Sequence, residues 1–159
     1  MSAQTLIDVL NKMLRLQKSL YEIAIRKTEV IKKGDVEALS GIMKDEQAHI
    51  AAIDVLEQQQ QYAAASLTGS VNKRSISDCM EKAEGIERLQ LEELKVQLTD
   101  QLAELKNVNS LNQQLLEQSL QFVTLNLDLL MPAEEVPGYT KEMDDDDGLS
   151  ARSLFDSKA

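Results

Sequence analysis

Apolar residues recur every three or four positions through most of this chain, which is the spacing of one face of an α-helix. The longest such pattern covers residues 85–131 and contains no proline. At about 1.5 Å per residue, one helix of this length would extend about 70 Å. It cannot bury an apolar stripe against itself, so the pattern predicts partner helices from this chain, a second copy or another protein. The stripe advances through Leu91, Leu94, Leu98, Leu102, Leu105, Val108, Leu116, Leu120, Val123, Leu127 and Leu130.

Two further long amphipathic helices are predicted in the first part of the chain, over residues 6–31 and about 36–65. Two lysines, Gly34 and Asp35 separate them. The cations suit the last turn of a helix, the glycine permits a left-handed exit, and the aspartate can cap the helix that follows. Short turns of this kind join antiparallel helices.

A short fourth helix is expected between the second and third long helices. Residues 66–75 have the composition of a connection, and Ser75 with Asp78 forms a helix-start signal. These features predict a short helix over residues 77–83. Gly85 either separates it from the long helix or is an interior glycine that costs about 1 kcal/mol.

The composition supports one all-helical domain. The chain has 159 residues with only two Pro, six Gly and five aromatic residues, a composition that favours helix over sheet. The predicted fold is an all-α, elongated antiparallel helical bundle of three long helices plus one short helix. The bundle is predicted to span residues 1–131. Residues 132–159 contain both prolines and four consecutive aspartates, which predicts a flexible, disordered acidic tail.

Charge and composition exclude several classes of partner. The net charge is −10, which argues against nucleic acid and anionic membranes as main partners. The tail alone, with eight acidic and three basic residues, contributes −5 of this charge. No stretch reaches the roughly 20 apolar residues needed to span a bilayer, and the N-terminus does not resemble a signal peptide. With its single cysteine, the chain is expected to be soluble and cytoplasmic.

The sequence offers no arrangement of residues for catalysis. His49 is the only histidine and Cys79 the only cysteine, so neither can find a second residue of its kind in one chain to complete a metal cluster. No glycine-rich phosphate loop is present, and the aspartate run lacks the ligand spacing of a calcium loop. We therefore expect no enzyme activity, no cofactor and no metal.

Two features differ from those of a plain helical bundle. Asn112 falls in the apolar stripe of the long helix, near Asn107 and Asn109. These side chains either pair with polar side chains of the first two helices or take part in partner recognition. The second feature is a broadened apolar face near the end of the helix, which either packs fully within the bundle or is left open for a client. That face comprises Leu115, Leu116, Leu120, Phe122, Val123, Leu125, Leu127, Leu129 and Leu130.

Taken in order along the chain, these segments resemble the FlgN-type flagellar export chaperones. The run Asp144 to Asp147 is the departure from the family pattern. The resemblance covers nearly the whole chain and rests on Lys27 to Asp35, on Leu39 to Ile53 with Glu46, on Asn109 and Asn112 before Leu115 and Leu116, and on Tyr139, Gly148 and Arg152 to Ala159.

The resemblance implies a cytoplasmic chaperone of type III flagellar export. Such a protein would bind hook-filament junction (hook-associated) proteins, mask their assembly-prone terminal helices, and deliver them to the export gate. The alternative is a structural or adaptor coiled-coil protein, such as a homodimer, that self-associates through its long helix. The resemblance assigns contact with the export gate to Tyr139, and client binding to Asn109, Asn112, Phe122, Val123, Leu129 and Leu130.

Overall fold

The computed structural model describes residues 3–70, 72 and 75–130. This part of the chain contains no strand and four helices: α1 (Gln4–Lys33), α2 (Val36–Thr68), α3 (Ile76–Lys82) and α4 (Gly85–Leu130). The prediction of an all-α fold with three long helices and one short helix is confirmed. The predicted disordered tail lies outside the described residues.

The helix boundaries follow from local sequence signals. Gly34 ends α1 in the left-handed region with φ of 69°, and a carboxylate oxygen of Asp35 accepts the Ala38 N–H at 3.0 Å to start α2. Ser75 and Asp78 form a reciprocal capping box at the start of α3. Gly85 has φ of 58° and begins α4, so α3 and α4 are separate helices.

The central helix is α1. It buries twelve residues, compared with four in α2 and seven in α4, because it packs against α2 on one side and against α4 on the other. No Cα atom of α2 lies within 8 Å of one in α4. In the described part of the chain, the long helices therefore form a row, α2–α1–α4, instead of a closed three-helix bundle.

The two neighbours of α1 run in opposite directions. Ser19 bonds His49, and Lys27 bonds Glu46 at 2.9 Å, so partners on α2 descend as α1 advances and this pair is antiparallel, as predicted. Hydrogen bonds from α1 to α4 join the Ala3 N–H to Glu87 and the Thr28 hydroxyl to Asn112, and both pairs are 84 residues apart. A constant separation means that α4 runs parallel to α1.

The three long helices therefore run up, down and up, so that α1 and α2 are antiparallel whereas α1 and α4 are parallel. Helix α2 returns the chain to the end of the row where α1 begins, and the segment containing α3 joins α2 to α4 at that end. From there α4 can only follow the direction of α1. Helix α4 packs beside α1 and away from α2, so α1 and α4 form a parallel pair.

The interface between α1 and α4 has a strict seven-residue repeat. Buried positions of α4 alternate in steps of three and four, as in a coiled-coil seam. A separation of 84 residues is twelve heptads, so equivalent heptad positions of the two helices lie at the same level. The levels are Ile7 with Leu91, Leu10 with Leu94, Leu14 with Leu98, Gln17 with Gln101, Tyr21 with Leu105, Ala24 with Val108, and Thr28 with Asn112.

Polar levels divide this seam. One apolar cluster lies near α3 and includes Cys79, whereas a second surrounds Leu20 and Leu105. The level of Gln17 and Gln101 lies between them, and in the described part Gln17 Oε1 and Gln101 Nε2 are buried without a hydrogen-bond partner. The seam therefore follows the heptad repeat even where the residue is polar. Leu102, which the sequence stripe included, is exposed.

Candidate functional site

The last thirteen described residues of α4 extend beyond α1. With a separation of 84 residues, the last residue of α1, Lys33, lies level with Glu117. Residues 118–130 therefore project past the turn between α1 and α2, by about 20 Å at 1.5 Å per residue. We call residues 118–130 the overhang.

The overhang is apolar and exposed. Phe122 is 66% exposed and Leu130 is 79% exposed, although a globular protein usually covers a contiguous patch of such residues. Of the two alternatives for the broadened apolar face, burial within the described bundle is therefore excluded. The exposed large apolar residues of this face are Leu116, Leu120, Phe122, Val123, Leu125, Leu127, Leu129 and Leu130.

Two apolar stripes can be distinguished on this face. The first continues the seam with α1 at the same heptad positions, through Leu115, Ser119, Phe122, Asn126 and Leu129. The second also advances in steps of four and three, through Leu116, Leu120, Val123, Leu127 and Leu130. At about 100° per residue, the two stripes are centred about 100° apart on the helix.

Charge is confined to the opposite side of the overhang. Between residues 107 and 130 the charged side chains are Glu117 and Asp128, and no cation is present. Both lie on the face away from the two stripes, as do Gln121 and Thr124. The apolar face therefore carries no charge of its own, and the nearest charges are negative.

The predicted client-binding residues separate into exposed and buried groups. Phe122, Val123, Leu129 and Leu130 lie on the exposed overhang, and Asn109 is exposed earlier in α4. Asn112 is only 2% exposed. In this arrangement it has no surface to offer a client. Tyr139, the residue assigned to the export gate, lies outside the described residues.

Asn112 makes two hydrogen bonds with α1. Its Nδ2 donates to the Ala24 carbonyl oxygen at 2.9 Å, and its Oδ1 accepts the Thr28 hydroxyl proton. Since this oxygen can only accept, the single proton of Thr28 points towards Asn112. Of the two alternatives for the asparagines, pairing with the first helices therefore holds for Asn112.

Sequence reasoning missed two aspects of this site. It singled out Phe122, Val123, Leu129 and Leu130 but did not separate a second stripe that includes Leu120 and Leu127. It also did not assign Gln17 and Gln101 to the seam. A strict seven-residue period, followed through polar residues as well as apolar ones, is the signal that identifies both.

The remaining candidate residues, His49 and Cys79, lie within the packed helices. His49 is half-buried, with Nε2 at 2.8 Å from the Ser19 hydroxyl and Nδ1 at 2.8 Å from the Asp45 carbonyl oxygen, and Cys79 is buried. Among the described residues, no group of three or more His, Cys, Asp or Glu could hold a metal ion. The helices of this part are also too short or too polar to cross a membrane. The feature of the described residues that stands out is the exposed apolar face at the end of α4.

Comparison with known proteins identifies the family. A family model described as FlgN protein matches residues 1–143, which include all four helices and the overhang. The chain is 35% identical over 160 residues to the "Uncharacterized protein YvyG" of Bacillus subtilis (strain 168), and the match covers the full length of both chains. No solved structure matches the chain. The chain belongs to the FlgN family.

Proposed function

We propose that this protein is a cytoplasmic chaperone of type III flagellar export that binds hook-filament junction proteins through the overhang of α4. Membership of the FlgN family supports the general role. The observation that carries the proposal is the exposed apolar face of residues 118–130, which projects beyond α1, the long helix that packs against the rest of α4.

The chemistry of this face suits a helical client. A protein that polymerises through amphipathic helices must keep them covered until it is assembled, and an apolar helical face supplies a matching surface. Covering one exposed Leu or Phe contributes about 1.5–3 kcal/mol, whereas association costs about 4–15 kcal/mol. A few such side chains therefore give reversible binding, which permits release at the export gate without a chemical step.

The test is binding of the full-length chain to each purified junction protein, measured by size-exclusion chromatography and titration calorimetry. We expect a defined complex with at least one of them, and an affinity reduced about tenfold by Phe122→Gln. The matched control is Gln121→Ala, on the opposite face of the same turn, which should bind as the native chain does. If neither junction protein forms a complex, the proposed function is wrong.

A second candidate function is a self-associating adaptor. The two stripes of the overhang favour it, because a second copy could cover them. The heptad-like spacing of Leu91, Leu94 and Leu98 does not favour it, because these residues are buried against α1. Sedimentation at micromolar concentration separates the candidates: a chaperone without client should be a monomer, whereas an adaptor should be an elongated dimer.

A further inference from the structure

The apolar face of the overhang is wider than one helix can cover. The first and second stripes each follow a heptad repeat, and their centres lie about 100° apart. A single packed helix contacts one such seam. If one helix occupied either stripe, most of the other stripe would stay in water.

The second stripe is confined to the part of α4 that lacks α1 as a neighbour. Earlier in α4, where α1 is the long helix beside it, only one stripe is apolar. The equivalent earlier positions, found by moving back in steps of seven, are held by Glu92, Lys95, Thr99, Leu102, Lys106, Asn109 and Gln113. One leucine among these seven leaves that face polar, so the second stripe begins where α1 ends.

A comparable arrangement already exists within this fold. Helix α1 lies between two long helices and buries residues on both sides, whereas the bundle part of α4 packs against one long helix and buries a single seam. In the overhang, α4 has the two-sided apolar pattern of a helix between two others. Its first stripe also continues the established interface between α1 and α4 without a change of heptad position.

We propose that the overhang binds two amphipathic helices at once, one on each stripe, and thus clamps a pair of client helices instead of a single one. This inference rests on the proposed function and specifies the partner of that site. The first helix occupies the position that α1 would take if it were two heptads longer. The second lies along Leu120, Val123 and Leu127, on the neighbouring side of α4.

The two stripes select different helices. The first contains Ser119 and Asn126 at seven-residue intervals from Asn112, which pairs with Thr28 on α1. The Ser119 hydroxyl already donates to the Leu115 carbonyl oxygen at 2.8 Å. The occupant should therefore carry a hydroxyl or amide side chain opposite Asn126, because a polar group buried without a partner is costly. The second stripe contains only Leu and Val, so its occupant presents an uninterrupted apolar seam. Flanking basic residues would complement Glu117 and Asp128.

Site-specific photo-crosslinking tests the two-helix clamp. The cross-linking amino acid p-benzoylphenylalanine replaces Phe122 on the first stripe in one variant and Leu127 on the second stripe in another. Gln121, on the face of α4 opposite the two stripes, is the control position. Each full-length variant is mixed with the junction protein that binds the native chain, irradiated, and the cross-linked client peptides are identified by mass spectrometry.

We expect positions 122 and 127 to cross-link to two different helices of one client molecule, and position 121 to give little product. We also expect Phe122→Gln and Leu127→Gln each to weaken binding about tenfold. Cross-links from both positions to one client helix, no product from position 127, or products with a second copy or with residues 131–159 would each overturn the clamp.

The outcomes also separate this inference from the function on which it depends. If the native chain binds a junction protein but only the first stripe is covered, the chaperone role stands and the clamp is wrong. If the native chain binds neither junction protein, both are wrong.

Discussion

At the scale of single residues, the polar side chains within the seam between α1 and α4 are the most informative. The sequence indicated that Asn112 belongs to the apolar stripe, but helical spacing along one segment does not identify the partner across the interface. Gln101 was missed for a related reason. A stripe drawn only through apolar residues selects the adjacent Leu102, whereas the packed helix keeps a strict heptad and buries Gln101.

Asn112→Ala should lower the free energy of unfolding by about 1–3 kcal/mol, because it removes two buried hydrogen bonds to α1. Asn109→Ala is the matched control on the same helix, where the side chain is exposed, and should change stability by no more than about 0.5 kcal/mol. Urea unfolding measures both. Equal effects of the two substitutions would show that the interaction with Thr28 contributes nothing to stability.

Apolar substitutions of Gln17 and Gln101 should raise stability, in contrast to Asn112→Ala. Each side chain has a buried polar atom without a partner in the described part, and replacing both with apolar residues removes that cost. We expect Gln17→Leu combined with Gln101→Leu to raise the free energy of unfolding by about 1–3 kcal/mol. The urea midpoint should rise accordingly, with an unchanged m-value. A lower midpoint would mean that these amides stabilise the seam. Gln114→Leu, at an exposed position of α4, serves as the control.

At the scale of helices, the boundaries could be predicted closely but the overhang could not. Glycine and capping signals determine where a helix begins and ends, and the observed bounds of α1–α4 differ from the predicted ones by three residues or fewer. Which part of α4 remains uncovered depends instead on the level at which α1 packs against it. That level is set by long-range contacts such as Ala3 with Glu87, which no local pattern contains.

The two parts of α4 should differ in their contribution to stability. Leu94→Ala removes a buried side chain from the seam and should cost about 2–5 kcal/mol. Phe122→Gln changes an exposed side chain on the overhang and should alter stability by no more than about 0.5 kcal/mol. Thermal or urea unfolding of the two variants, without client, measures the difference. A large loss for Phe122→Gln would indicate that the protein covers its own overhang.

At the scale of the whole molecule, the sequence predicted the class of fold but not the order of its helices. The longest apolar pattern belongs to α4, whereas α1 is the central helix. The reason is that an apolar face reveals how much surface a helix buries, and not which neighbours cover it. Several three-helix arrangements would satisfy the same apolar patterns.

Because the long helices form a row, we expect two alanine substitutions of apolar residues to lower the free energy of unfolding by unequal amounts. Leu10 is fully buried in the cluster to which all four helices contribute, so Leu10→Ala should cost about 2–5 kcal/mol. Ile50 on α2 is half exposed, so Ile50→Ala should cost less than about 1.5 kcal/mol. Chemical unfolding compares them. Similar large losses at both positions would favour a closed bundle in which α2 also packs on α4.

The Gly34 turn closes the hairpin of α1 and α2 and sets the length of α4 that α1 can cover. By stopping two heptads short of the last described residue of α4, it decides how much of that helix is left bare. Lengthening both arms of the hairpin by two heptads, in phase, would cover the first stripe with α1 and leave the second stripe exposed. Hairpin length therefore sets how much apolar surface α4 leaves exposed.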